Sequence, residues 1–382
     1  MGLRGIGFAL AAAAMAGPAN AQPLPPSEAA GIPVALLVDT GSGRELLARQ
    51  PDRRFAPASM TKVMTAQVAF RELRSGRLRR DAVLTVPAAL AREWNGKGTS
   101  LFLRAGDRVS VDTLISAITT VSANDAAVML AQAHAGSIAG WTALMNQEAH
   151  RLGMAGSRFA TPNGWPDQGE THVTARDLVR LSRSLIGEYP AEYRRYFGKR
   201  LFTYNGVEQR NRDPVTGFVA GADGIKTGHT NEAGYNFLGS AQRGQVRLVM
   251  VVGGARSEAE RAAASRALLE WGFAAWDYRP LFDAGKPVAR ARVQDGEDLH
   301  VPLVSPVPRH ATFVRGAAPK ITLTLRYRGP LRAPLAKGQQ VAELEIRTAD
   351  GGTSSVPLYT DRAVGKAGPL DRIVNGLYGL IT

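Results

Sequence analysis

The sequence predicts an α+β protein of two domains: an antiparallel sheet with a helical lobe beside it, followed by a smaller all-β domain. Three observations carry this reading. Strand-like segments stand at both ends of residues 30–277 with helical segments between them, so the terminal strands must meet in one sheet. Composition then changes near Asp277. From 280 to 358 there is no helical period, only short alternating runs separated by Gly and Pro turns.

The first element is a strand over 34–38, closed by the Thr-Gly-Ser-Gly turn at 40–43 and followed by a second strand over 46–48. Pro57 then opens a helix. From Ser59 through Phe70 no Gly or Pro interrupts it, and Val63, Ala66, Val68 and Ala69 fall on buried faces. Residues 112–120 and 125–135 read as two apolar helices, which leaves Ser122 at the tip of the loop between them. An amphipathic helix follows over 139–152, and another over 174–185, with Thr174 as N-cap and Asp177 approximating a capping box. Strands return at 224–230, 235–242 and 246–252, and a long helix over 258–273 closes the domain. Beyond it, 289–293, 320–327 and 341–348 are the clearest strands of the all-β domain, which spans 280–366.

The two ends of the chain are of another kind. Met1 to Arg4 carries one positive charge, 8–16 is apolar, and Ala19-Asn20-Ala21 supplies a small-x-small cleavage pattern, so 1–21 reads as a secretory signal peptide. The apolar run is well short of the ~20 residues that span a bilayer. After Gly368-Pro369, the residues Leu370, Ile373, Val374, Leu377, Tyr378 and Ile381 make one apolar helical stripe in an amphipathic segment over 368–382. Such a stripe suits either a bilayer interface or the surface of its own domain.

With 382 residues, 45% of them hydrophobic, the chain is long enough for two separate cores. Absence of cysteine excludes disulfides, thiol catalysis and cysteine-ligated metals. Six scattered histidines, without a His-x-x-x-His or Glu-x-x-His pair, give no support to metal catalysis, and neither a metal nor a cofactor is expected. The net charge of +14 favours a polyanionic neighbour: nucleic acid, an anionic membrane face or a charged wall polymer. Export argues against nucleic acid.

Three short strings carry chemistry: Ser59-Met60-Thr61-Lys62, Ser122-Ala123-Asn124 and Lys226-Thr227-Gly228. Residues three apart on a helix share a face, so Ser59 and Lys62 bring a hydroxyl against an amine. A lysine acts as base only when neutral, and burial among Met60, Val63 and Met64 together with repulsion from Lys226 would depress its pKa. Near a helix start, Ser59 also has free backbone N–H groups that can hold an oxyanion. Ser122 can relay a proton to a leaving amine, and Asn124 offers a donor and an acceptor to a substrate amide. On their strand, Lys226 and Thr227 can present charge and hydroxyl to a carboxylate, while Gly228 leaves the strand edge open to a ligand. The trio names acyl transfer.

The strings and their surroundings resemble the low-molecular-mass penicillin-binding proteins of the D-alanyl-D-alanine carboxypeptidase family, serine peptidases of the Ser-x-x-Lys type. The similarity runs through Phe55 to Lys62, Ser100 to Asp107, Ser122 to Ala126, Asp223 to Thr230, Ala233 to Asn236 and Glu270 to Phe273. It is strong over 32–275 and weak over the β-rich remainder. It implies a penicillin-binding transpeptidase-like, β-lactamase-like fold for a catalytic domain over 30–277. It further implies that Ser59 is acylated, that Lys62 is its base, that Ser122 and Asn124 form the second wall of the cleft, and that Lys226 and Thr227 form the third. The backbone N–H groups of Ser59 and His229 would make the oxyanion hole. An arginine upstream of the third string helps such enzymes to bind the terminal carboxylate; Arg212 matches it best, with Arg210 as competitor. Two departures stand out: Asn163-Gly164 where His-Gly is frequent, and Ser-Ala-Asn where Ser-Gly-Asn is frequent.

The resemblance implies a serine D-Ala-D-Ala carboxypeptidase that trims peptidoglycan stem pentapeptides outside the cytoplasm and is inhibited by β-lactam antibiotics. A DD-endopeptidase differs only in the leaving group. A serine β-lactamase of class A would add a glutamate with an asparagine four residues on, and Glu148, Glu170, Glu188, Glu192 and Glu208 all lack it. A non-enzymatic wall-binding module would have lost Ser59 or Lys62. The expected location is the periplasm or the outer face of the cytoplasmic membrane.

Overall fold

In the computed structural model, which describes residues 22–94, 96–317 and 320–368, strand β1 (Val34–Asp39) is buried along its whole length. Both faces of its sheet are therefore covered. Alternate residues separate cleanly: Leu36 and Val38 belong to one core with Val249 and Val251, whereas Ala35 and Leu37 belong to another with Leu248, Met250 and Val252. The N-terminal and C-terminal strands of this domain do meet, since β1, which also carries β2 (Glu45–Arg49) at the edge, pairs with a later strand in an antiparallel sheet of five.

Between these strands the chain builds the helical lobe. A 3-10 turn (Ala58–Met60) leads into α1 (Thr61–Arg74), which is buried on nearly every side and so is central to the domain. After β3 (Val83–Thr85), α2 (Ala88–Trp94) and β4 (Arg108–Ser110) come α3 (Val111–Thr120) and α4 (Asn124–Ala135), with Ser122 in the break between them as the apolar runs predict. Helices α5 (Ile138–Arg151), α6 (Ala175–Glu188) and α7 (Pro190–Tyr196) and the hairpin β5 (Leu201–Tyr204) and β6 (Val207–Arg210) complete the lobe. Thr174 caps α6 by accepting from the Asp177 backbone N–H, but the Asp177 carboxylate turns away to Gly156 and Ser157, so only half of the expected box forms.

Strands β7 (Ala222–Thr230), β8 (Gly234–Arg243) and β9 (Val246–Ala255) then give the sheet order β2-β1-β9-β8-β7, which leaves β7 at the edge beside the 3-10 turn. Helix α8 (Glu258–Ala274) covers the other face through Ala264, Leu268 and Leu269.

Strand β10 (Trp276–Phe282) runs straight across the boundary read at 277–280, because its pairing with β13 (Arg309–Val314) makes it part of a ribbon that touches both domains. Trp276 packs in the second core of the sheet, and Ala311 opposite Arg279 packs in the core of the β-domain. That domain comprises β11 (Pro287–Gln294), β12 (His300–Val304), β13 (Arg309–Val314), β14 (Ile321–Arg326), β15 (Leu331–Arg332), β16 (Gln340–Thr348) and β17 (Thr353–Thr360). Six of these form a sheet in the order β14-β16-β17-β12-β11-β15. The signal peptide read at 1–21 and the stripe within 369–382 lie outside the described residues. Among the described residues no helix is long and apolar enough to cross a membrane.

Candidate active site

The three strings converge on one cleft between the helical lobe and the edge strand β7. Ser59 stands in the 3-10 turn, one residue after Ala58, whose φ of 48° is left-handed; Ser122 itself has a φ of 65°. Two non-glycine residues in this sparsely populated region, each costing on the order of 1 kcal/mol or more, flank one cleft, which is where strain collects when the surroundings are built around a function.

Lys62 lies at the centre. It is 1% exposed, and its Nζ is 2.9 Å from Ser59 Oγ, 2.7 Å from Asn124 Oδ1 and 2.7 Å from the carbonyl oxygen of Asn163. Burial depresses its pKa well below the ordinary lysine value, and the charge of Lys226 depresses it further. Both causes are those the sequence suggests. The Asn124 amide is oriented by its other end, where Nδ2 donates to the Lys97 carbonyl at 3.1 Å.

The loop bearing Ser122 is strapped from beneath by 97–103. Asn124 N–H donates to Thr99, Thr99 Oγ1 donates to the Ser122 carbonyl, and the Asp125 carboxylate collects Ser100 Oγ and the N–H groups of Leu101 and Leu103. Ser122 Oγ is buried and unpartnered among the described residues, a polar group held ready for a ligand. Ala123 is fully buried in the lobe core with a φ of −58°, so the methyl that replaces the commoner glycine fits without strain.

On the third wall, Lys226 is 4% exposed while Thr227 is half-buried and His229 is exposed, its ring stacked on Tyr235 at 4.0 Å. Burial first, then the charges of Arg261 and Arg212, push Lys226 down to about 7. Gly228 has a packing role that the strand pattern does not suggest. A Cβ there would meet the Pro57 carbonyl at 2.3 Å and Met60 Cγ at 3.3 Å, so its bare backbone lets β7 press against the turn that carries Ser59.

Arg212 is exposed and close enough for its charge to act on Lys226, whereas Arg210 lies at the end of β6 opposite Leu201 and is not among the charges that act on Lys226. Sequence reasoning missed Arg261. Its guanidinium is buried, reaches Glu258 Oε1 at 2.9 Å and the Arg212 carbonyl at 3.5 Å, and leaves Nε without a partner among the described residues. The signal was available: Arg261 takes the core-facing position that Ala264, Ser265, Leu268 and Leu269 continue along α8. The role of Asn163-Gly164 was also missed. Gly164, at φ 72°, packs so closely on the serine turn that a Cβ would lie 1.8 Å from the Ala58 carbonyl, and this contact presents the Asn163 carbonyl to Lys62.

Glu148, among the glutamates weighed for a water-activating role, is bound to Arg71, Arg151 and Gln67. Among the described residues no His, Asp and Glu cluster suits a metal ion.

Comparison with known proteins agrees with this chemistry. A family described as D-alanyl-D-alanine carboxypeptidase matches residues 21–257, and one described as the C-terminal domain of penicillin-binding protein 5 matches 276–366. The D-alanyl-D-alanine carboxypeptidase DacD of Salmonella typhimurium is 36% identical over 356 residues, which are 92% of this chain and 90% of that protein. The structure of penicillin-binding protein 5 from Haemophilus influenzae superposes with a TM-score of 0.73 at 31% identity, covering 90% of this chain and 99% of the other. Penicillin-binding protein D2 of Listeria monocytogenes, solved in an ampicillin-bound form, gives a TM-score of 0.57 at 31% identity over 63% of this chain and 97% of its own. The chain belongs to the D-alanyl-D-alanine carboxypeptidase family of serine peptidases.

Proposed function

We propose that Ser59 is the acylated nucleophile of a carboxypeptidase that removes the terminal D-alanine from peptidoglycan stem pentapeptides, and that β-lactams acylate the same oxygen. The observation that carries this reading is the set of three partners around Lys62. A neutral amine has two N–H donors and one lone pair; Asn124 Oδ1 and the Asn163 carbonyl can only accept, so they take the two donors and leave the lone pair for the Ser59 hydroxyl. Lys62 is thereby directed to remove a proton and not to give one.

Ser59 Oγ attacks the carbonyl carbon of the penultimate residue as its proton passes to Lys62. The oxyanion is held by the backbone N–H groups of Ser59 and His229. The C–N bond then breaks, with a proton reaching the departing D-alanine amine through Ser122, and an ester to Ser59 remains. Water attacks that ester, loses a proton to the Lys62–Ser122 pair, and returns Ser59 to its hydroxyl form. Lys226, Thr227, Arg212 and Arg261 hold the terminal carboxylate, and Asn124 binds the amide preceding the scissile bond. We assign 30–277 to catalysis, 280–366 to a spacer or partner-binding module, and 1–21 to export into the periplasm, with the last segment reaching the outer face of the cytoplasmic membrane.

The test combines two measurements. A labelled penicillin should modify Ser59, and equal labelling of Ser59→Ala would overturn the assignment. Mass analysis of digested muropeptides should show one alanine lost from monomeric pentapeptides; dimers converted to monomers would make the enzyme an endopeptidase.

A further inference from the structure

Helix α6 carries arginines at 176, 180 and 183, the positions i, i+4 and i+7 of one helical face. The first two are paired: Arg176 with Glu45 at 2.8 Å and Asp52 at 3.0 Å, and Arg180 with Asp177 at 2.5 Å. Arg183 is not. It is half-buried, and among the described residues it has neither a hydrogen bond nor an ion pair. The same face of α6 looks toward the β-domain, since the charges of Asp39, at the end of β1, and of Tyr359, on β17, both act on Arg183.

Across the domain junction stands a second arginine without a counter-charge. Arg309 is 3% exposed; its Nε donates to Ser305 Oγ at 2.7 Å and its Nη1 to the Thr40 and Gly41 carbonyls at 3.1 and 3.4 Å. These acceptors are uncharged, and Nη2 has no partner among the described residues. Burial first, and then the charge of Arg183, bring Arg309 down to about 10, while burial and then Arg180 lower Arg183. The carboxylate that acts on both, Asp39, is taken up by His310, Thr312, Ser42 and the Gly41 N–H. A guanidinium keeps its proton at any ordinary pH, so the repulsion is relieved only by an added anion. The Tyr359 phenol is half-buried beside both arginines, and its hydroxyl has no partner among the described residues. Four residues along the same strand, Ser355 lines a cavity of about 470 Å³ with Gly43, Glu45 and Thr353, so the junction is open to small solutes.

We propose that Arg183, Arg309 and Tyr359 form an anion site between the two domains, that it takes a phosphate group, free or at the end of a monoester, and that the bound group clamps the β-domain to the helical lobe. A doubly charged tetrahedral anion can accept from two guanidinium groups at once, and the phenol supplies a further donor. Because Arg309 is so little exposed, only a small terminal group reaches it. The site is separate from the cleft that holds Ser59.

The test measures Tm of the full chain in sodium chloride, sodium phosphate and glycerol phosphate at equal ionic strength. Inorganic phosphate at about tenfold excess over its Kd should raise Tm by about 3–5 °C relative to chloride. An equal rise with glycerol phosphate assigns the site to monoesters, and a rise with inorganic phosphate alone assigns it to the free anion. Arg183→Gln should lose the rise. Arg183→Glu sets a carboxylate beside Arg309, so it should raise Tm in chloride above that of the wild-type protein and leave no response to phosphate. Three results would overturn the proposal: no rise beyond that in chloride, a phosphate response that persists in both variants and so belongs to other cations such as those of the cleft, or a lower Tm for both variants in chloride, which would make Arg183 a structural cation. Penicillin acylation at the wild-type rate in both variants reports that they are folded, and it reads the Ser59 assignment separately.

Discussion

The carbonyl oxygen of Asn163 accepts a hydrogen bond from Lys62 Nζ at 2.7 Å, so a backbone atom, and no side chain at that position, holds the base from below. This explains why asparagine can stand where relatives often carry histidine. Asn163→His should change penicillin acylation of Ser59 only a few-fold. Gly164→Ala should behave differently, because its φ of 72° and a Cβ 1.8 Å from the Ala58 carbonyl would drive the serine turn and the Asn163 carbonyl apart. A displacement of about 1 Å costs on the order of 100-fold in rate, and stopped-flow acylation reads the difference between the two variants directly.

Gly228 gives a second steric test. Gly228→Ala places a methyl 2.3 Å from the Pro57 carbonyl, backbone that cannot swing aside, so either β7 or the turn 57–60 must move. The expected result is a fold destabilised by about 1–3 kcal/mol, the usual range for overpacking, with acylation reduced far more than this loss of folded protein explains. Thermal unfolding and acylation rate, measured on one preparation, separate the two effects.

The contrast between these glycines shows what could be read from the sequence. The sheet, the main helices and the three strings were legible, because alternating or helical periods are long in β1, α1, α3, α4 and β7 to β9, and because Ser59, Lys62, Ser122, Asn124 and Lys226 act through side chains whose types announce their chemistry. The hairpin β5–β6 and the short helices α2 and α7 were not, as pieces of four to seven residues carry too little periodicity. Nor was the Asn163 contact, since a carbonyl has no signature in its residue type. Gly228 is legible as a position without a side chain, but only the packed structure shows Pro57 against it. Arg261 is legible only from its place on the core-facing stripe of α8, because arginine on a helix is ordinarily read as solvated.

Lys226 should give the pH profile its alkaline limb. Burial and the neighbouring arginines bring it down to about 7, so in the free enzyme its charge is lost as pH rises through that value and carboxylate recognition weakens. KM for the peptide should therefore rise above pH 7 in the wild-type protein, and Lys226→Arg, which keeps its charge, should flatten that limb. The acid limb belongs to Lys62, whose depressed pKa must still be exceeded before it can accept the serine proton. The same depression bears on stability. An unfolded chain holds the Lys226 proton up to the ordinary lysine range, so stability rises with pH between about 7 and 10 and the full penalty applies below 7. Lys226→Met should accordingly raise Tm near neutrality while impairing peptide turnover; an unchanged or lower Tm would contradict this account.

The two domains are joined by a buried histidine–carboxylate contact. His310 Nε2 lies 2.6 Å from Asp39 Oδ2, Thr312 and Ser42 donate to the same carboxylate, and Gly41 stays bare because a Cβ would strike the His310 ring. Burial alone would raise the pKa of Asp39, but the hydrogen bond and charge of His310, with the two hydroxyls, more than offset it and hold the carboxyl below its usual value. Around the pair stand Arg44, bound to Asp350 and to the Thr312 carbonyl, and Arg309, bound to Ser305 Oγ and the Thr40 carbonyl. Because the folded pKa is the lower one, this contribution is present above the ordinary carboxylate range and is lost as pH falls through the folded value. Removing His310 leaves the buried Asp39 carboxylate short of a hydrogen-bond partner, a loss of about 1–3 kcal/mol, so His310→Ala should lower the unfolding midpoint in urea at pH 7 and much less at pH 3. The double variant Asp39→Asn/His310→Gln, which replaces the buried carboxylate by a neutral hydrogen-bonded pair, should recover a large part of the loss. Equal destabilisation by His310→Ala at both pH values would show that the histidine acts by packing alone.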